Sequence, residues 1–203
     1  MITIYLGKET IQLDNQEKIP NPDKVMYTYL SFCLIWSIGA NLHDSSRPMF
    51  GEFLRGQMRP HFPEFPDGDV YEYGIQGDEH RLQPFAEQIP TFTYNPKLSF
   101  FDILVPTNDT VKYKYILNVL VYNDYNVLLS GETGVGKSVI AKDFLMTANE
   151  KIDPAFVNFS GKTTCKNLQD SFEGNLDQKR KHLLAPKVLN TRKVFLIDDV
   201  NMP

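Results

Sequence analysis

The chain has 203 residues, 42% of them hydrophobic, 12% aromatic and 23% charged, a composition too apolar and too varied for a disordered or fibrous protein. Its 21 Lys and Arg against 25 Asp and Glu give a net charge of −4, spread without long single-sign runs, so neither a nucleic-acid surface nor an anionic-membrane surface is expected. Cys33 and Cys165 stand far apart with no second cysteine near either, which fits neither a disulfide framework nor a zinc-ligand spacing and points to a reducing compartment.

The N-terminus lacks the basic start and apolar run of a secretory signal. Ile2, Ile4 and Leu6 alternate, as do Ile11 and Leu13, with Gly7 and Lys8 between, and this predicts a small hairpin in an otherwise unassigned segment, residues 1–24. Residues 25–42 are the most apolar stretch, but Ser31, Ser37, Gly39 and Asn41 interrupt it. A bilayer span needs about 20 apolar residues, so the stretch predicts a buried helix, with Trp36 in the core. Pro20 and Pro22 mark its start, Gly39 and Asn41 its end.

From Pro48 to Pro106, prolines and short aromatic clusters such as His61, Phe62, Pro63, Glu64, Phe65 and Pro66 replace periodicity. The expectation is an irregular region with one short helix at 49–58, joining two structural units with a boundary near residue 100. Beyond it, Ile116, Leu117, Leu120 and Val121 share a helical face, residues 126–130 read as a buried strand, and Val139, Ile140, Phe144 and Leu145 recur at helical spacing over 138–150. Residues 155–160 read as a second strand, a polar helical stretch follows, and residues 193–200 read as a third strand. Strand, helix, strand, helix, strand implies an α/β fold with a parallel sheet and crossover helices.

Chemistry concentrates at two places on that sheet. Gly131, Glu132, Thr133, Gly134, Val135, Gly136, Lys137 and Ser138 match G-x-x-x-x-G-K-[ST] at every fixed position, between a predicted strand and a predicted helix. Such a loop turns backbone N–H groups toward a phosphate at the helix N-terminus. Lys137 would reach the β and γ phosphates of ATP, and the Ser138 hydroxyl would complete a Mg²⁺ shell. A glycine-rich turn alone has no need of Lys-Ser at the helix start. The second place is Asp198 and Asp199, where an apolar strand delivers carboxylates to the same sheet edge. Asp198 would hold Mg²⁺, and Asp199 would be the catalytic base or water-orienting acid, unless it merely caps a turn. His43, His61, His80 and His182 show no metal-ligand spacing, and Lys179, Arg180 and Lys181 read as a solvated face.

The phosphate loop, the ending FLIDDVNMP, and residues 105–113 (VPTNDTVKY) together resemble a dynein heavy chain, and within it the third AAA+ module of the motor ring. Residues 156–160 (FVNFS) followed by Thr163 and Thr164 are similar to that module's second strand and its exit, and Asn201, Met202 and Pro203 resemble the axonemal branch. Residues 34–40 (LIWSIGA) resemble a helix in the small domain of the preceding, second module. Residues 1–24 match nothing in the family, and Glu132 stands where proline is more common.

The resemblance implies a P-loop NTPase sheet of AAA+ type over 101–203, incomplete at the C-terminus, preceded over 25–100 by a small, mostly helical domain of the previous module plus a linker. In the implied strand order, a fourth strand following Pro203 separates the first strand from the third. The resemblance also implies ATP or ADP and Mg²⁺ as ligands, with the base against Val105, Pro106 and Thr107. Its implied partners are neighbouring AAA+ modules of the same heavy chain and, through the full motor, microtubules and dynein intermediate and light chains. The implied location is cytoplasm and cytoskeleton, in the axoneme of a cilium. Asp199 is one methylene shorter than the glutamate usual in active modules, so an ATPase module and a regulatory, non-hydrolysing nucleotide module both stand. An unrelated P-loop ATPase and a purely structural remnant are the further alternatives.

Overall fold

Residues 21–76, 80–94 and 103–201 are described by a computed structural model, and the chain divides into two compact units, Met1–Asn126 and Val127–Pro203. The hairpin expected at the N-terminus lies outside the described residues. In the first unit, Asn21 caps helix α1 (Pro22–Ser37) by accepting from the Lys24 N–H, and Pro22 supplies a preset φ at the first turn. The helix buries Tyr29, Phe32, Cys33 and Ile35. It ends before the apolar run does: the chain tightens into a 3₁₀ turn at Gly39–Asn41. A Cβ on Gly39 would lie 2.5 Å from the Tyr71 hydroxyl and 2.7 Å from the Phe50 ring, so glycine is required there by close approach.

Helix α2 (Arg47–Met58) carries Pro48 in its first turn and buries Gly51, Leu54 and Met58. Leu54 and Met58 join Ile35, Phe62, Phe65, Val70 and Tyr71 in one apolar cluster, so aromatics of the proline-rich stretch form core. An antiparallel hairpin of β1 (Tyr73–Gln76) and β2 (Arg81–Pro84) follows, where the sequence predicts irregular chain. Its strands are four residues each, too short for alternation to register.

Helix α3 (Asn108–Tyr122) starts on a capping box in which the Thr107 hydroxyl accepts from the Thr110 N–H and the Thr110 side chain accepts from the Thr107 N–H. It belongs to the first unit. Tyr115 donates from its hydroxyl to the Ile75 carbonyl at 2.8 Å and accepts from the Ile75 N–H at 3.2 Å. Its ring meets Phe85 and Phe32 edge-on. Lys112, buried on the same helix, donates to Glu72 at 2.7 Å and pairs with Asp109 at 2.9 Å. Burial works against the Lys112 charge, but these hydrogen bonds and negative charges outweigh it and raise the pKa above its ordinary value.

The second unit is an α/β arrangement. Strands β3 (Ile152–Asn158) and β6 (Arg192–Asp198) pair in parallel, from Ile152 against Arg192 to Asn158 against Asp198. Pro154 within β3 has no N–H to give, which suits a strand at a sheet edge. Helix α4 (Lys137–Met146) packs on both strands and buries Ile140, Ala141, Phe144 and Leu145. Helix α5 (Cys165–Gly174) starts on the Thr164 cap, and Phe172 sets its ring edge-on to Phe195 of β6 at 4.7 Å between centroids. A second hairpin, β4 (Leu176–Arg180) with β5 (Leu183–Pro186), follows α5. The basic residues Lys179, Arg180 and Lys181 sit at its tip and are exposed.

Residues 126–130 correct the sequence reading: they carry no strand, and Leu128 is 80% exposed. β3 and β6 pair only with each other among the described residues. The segment therefore has no ladder to enter, and an apolar run without a neighbouring strand cannot satisfy its backbone groups by sheet pairing. The helix predicted over 138–150 is also shorter, ending at Met146, where Thr147 turns its hydroxyl back to the Asp143 carbonyl.

Candidate nucleotide-binding site

Three elements of the second unit converge on one carboxylate. β6 ends at Asp198, α4 begins at Lys137, and the loop 131–136 leads into that helix. Gly134 and Gly136 both hold φ at 87°, a left-handed backbone that favours glycine. A Cβ at either position would meet nothing within 4 Å, so the requirement lies in backbone conformation. Gly136 is the N-cap of α4, with no side-chain cap hydrogen bond. The first N–H groups of a helix have no partner within it, and those of Lys137, Ser138 and Val139 are the donors such a loop offers an anion.

Lys137 donates from Nζ to the Gly131 carbonyl at 2.9 Å and to the Glu132 carbonyl at 2.6 Å. Its ammonium thus spans the loop from helix start to loop start. Ser138 donates from Oγ to Asp198 Oδ1 at 2.7 Å, which brings together the two residues that the sequence reading assigns to a metal. A hydroxyl and a carboxylate are hard oxygen donors, the chemistry Mg²⁺ prefers. The Asp199 N–H donates to Asp198 Oδ1 at 3.2 Å, and Asp199 itself is exposed with φ at 55°. That left-handed residue ends the strand immediately after Asp198. Thr133 and Val135 occupy the loop between the glycines, and Val135 is exposed.

Val105, Pro106 and Thr107 stand in the first unit, immediately before α3, and Thr107 spends its hydroxyl on the helix cap. Sequence reasoning missed Lys142. It lies four residues after Ser138 on α4, and its Nζ is 3.7 Å from Asp198 Oδ2. The i to i+4 spacing from Ser138 was the available signal.

A family profile described as "P-loop containing dynein motor region" matches residues 92–203, more than half of the chain. The chain belongs to the dynein heavy-chain motor family. A second profile, "Dynein heavy chain AAA lid domain", matches residues 1–87, which corrects the reading of residues 1–24 as unlike the family. The chain is 38% identical over 210 residues to Dynein axonemal heavy chain 6 of Homo sapiens, covering 99% of this chain and 5% of that protein. It is 32% identical over 221 residues to Dynein axonemal heavy chain 1 of Mus musculus, covering 98% of this chain and 5% of the relative. It is also 34% identical over 175 residues to Dynein-1-beta heavy chain, flagellar inner arm I1 complex, of Chlamydomonas reinhardtii, with 85% and 4% covered. The chain thus spans about one twentieth of the length of these curated relatives. Among its described residues no helix is long and apolar enough to cross a membrane.

Proposed function

We propose that the second unit binds ATP or ADP with Mg²⁺ as the phosphate-binding part of a dynein AAA+ module, the third of its motor ring, with the first unit carrying the small domain of the second. The observation that carries this reading is the 2.7 Å contact between Ser138 and Asp198 beside a loop whose glycines hold left-handed backbone. Gly131, Glu132, Thr133, Gly134, Val135 and Gly136 shape the cradle, and the N–H groups at the start of α4 face the phosphates. Lys137 exchanges two carbonyl acceptors for phosphate oxygens, which make stronger, charge-assisted partners. Ser138 and Asp198 would hold Mg²⁺, which supplies positive charge against the β and γ phosphates.

Asp199 would orient water, and its short side chain favours binding with slow turnover over a working ATPase. The relatives are named axonemal and flagellar heavy chains, and this supports a place in the axoneme, beside neighbouring AAA+ modules and, through the whole motor, microtubules and intermediate and light chains. The test is titration with a fluorescent ATP analogue. Lys137→Ala is expected to weaken Mg²⁺-dependent binding about tenfold or more, since hydrogen bonds to charged groups contribute about 1.5 to 3 kcal/mol. Unchanged affinity removes the site assignment.

A further inference from the structure

Lys142 is absent from the sequence reading of the site, yet it reaches the carboxylate on which the site is built. Ser138 and Lys142 are one helical turn apart, so both side chains leave α4 on one face. That face meets the end of β6. The two oxygens of Asp198 are divided between them: Oδ1 accepts from Ser138 at 2.7 Å and from the Asp199 N–H at 3.2 Å, while Oδ2 pairs with the Lys142 ammonium at 3.7 Å. Asp198 is the more buried of the pair, its side chain 22% exposed against 46% for Lys142. The lysine therefore keeps its head near solvent and can swing away, whereas the aspartate is fixed at the strand end.

We propose that Lys142 is a positioning residue that sets the divalent-metal requirement of nucleotide binding, acting as a resident counter-ion that competes with Mg²⁺ for Asp198. This inference rests on the nucleotide reading above. The physical basis is charge: a monovalent ammonium beside Oδ2 lowers the attraction of that carboxylate for a second cation, and binding of a divalent ion must displace the lysine or tolerate its repulsion. The pair is half-exposed and screened, so its effect is modest, comparable to an exposed ion pair. An Mg²⁺ threshold set this way responds to Lys142 without any change in the phosphate loop itself.

The experiment follows binding of a fluorescent ATP analogue to the full chain as Mg²⁺ is titrated at fixed analogue concentration. Lys142→Met keeps the apolar stem and removes the charge, and it is expected to lower the Mg²⁺ concentration for half-maximal binding about two- to fivefold. Lys142→Arg keeps the charge and is expected to restore the wild-type midpoint, which a merely structural role for the stem would not require. Lys142→Gln repeats the neutralisation and carries the comparison if the Met variant does not fold. A midpoint that is unchanged or raised in the neutral variants, while wild type binds the analogue, overturns this inference and leaves the nucleotide reading standing. A wild-type chain that binds no analogue at any Mg²⁺ concentration overturns both.

Discussion

The two units bury their apolar residues to very different depths. In the first, Phe85 is 0% exposed and Phe32, Ile35 and Val70 are each 1% exposed. In the second, the most buried residues, Ala155 and Phe144, are each 4% exposed, every residue of β6 is only partly covered, and Leu128, Leu189 and Phe156 stand 80%, 79% and 42% exposed. The first unit closes an aromatic core on itself. The second closes one face, where α4 lies on two strands, and leaves apolar side chains beside them open. The proposed nucleotide site sits on the open unit, since a loop and a strand end can be reached only where the fold does not cover them.

The contrast predicts that deletion of an aromatic ring has very different effects in the two units. Phe85→Ala removes a fully buried ring between Gly74 and Tyr115 and is expected to destabilise the first unit by about 3 to 5 kcal/mol. Phe156→Ala, at a 42% exposed position, is expected to cost less than about 1 kcal/mol. Denaturant unfolding followed separately in the two units checks this. Equal losses would show that the second unit has a closed core after all.

Glycines sharpen the same distinction, because the two units need them for different reasons. Gly74 lies in a strand, and a Cβ there would meet the Phe85 ring at 2.5 Å, so Gly74→Ala forces the core apart at an expected cost of about 1 to 3 kcal/mol. Gly134 has open space around it and φ at 87°, so Gly134→Ala strains only the backbone, by about 1 to 2 kcal/mol. The two separate in their consequences. Thermal unfolding should register Gly74→Ala more strongly, and nucleotide titration should register Gly134→Ala alone.

What was legible in the sequence follows this division as well. The phosphate loop and the strand ending in Asp198 were readable because their residue types answer to one chemistry at fixed spacing, whatever the surrounding packing. Helices α1 and α2 were readable from proline at their starts and apolar content within. The hairpin of β1 and β2 was not, because Gln83 is buried in it and Gly74 interrupts it, and tertiary packing on Phe85 and Tyr115 decides its conformation. The strand expected at 126–130 shows the opposite failure: local apolar character is present, but a strand exists only when another pairs with it. Lys142 escaped because its role depends on where β6 ends, a long-range fact absent from the helix's own pattern.

Within the closed unit, the smallest expected effect tests whether that unit depends on charge as well as on rings. Lys112 is 8% exposed at its side chain and is held by Glu72 and Asp109, with its pKa raised above the ordinary 10.5. Because the raised value belongs to the folded state, the pair's contribution is fully present below the unfolded value and is lost as pH rises through the folded one. Lys112→Met keeps the buried stem, and both acids remain open enough to rehydrate, so a loss of about 1 kcal/mol at neutral pH is expected. The variant and the wild type should converge in stability as pH climbs above about 10.5, measured as the difference in unfolding midpoint at each pH. A difference that persists undiminished at high pH would mean that the charge of Lys112 is not what stabilises the unit, and the pairing with Glu72 and Asp109 would then contribute nothing to its folding.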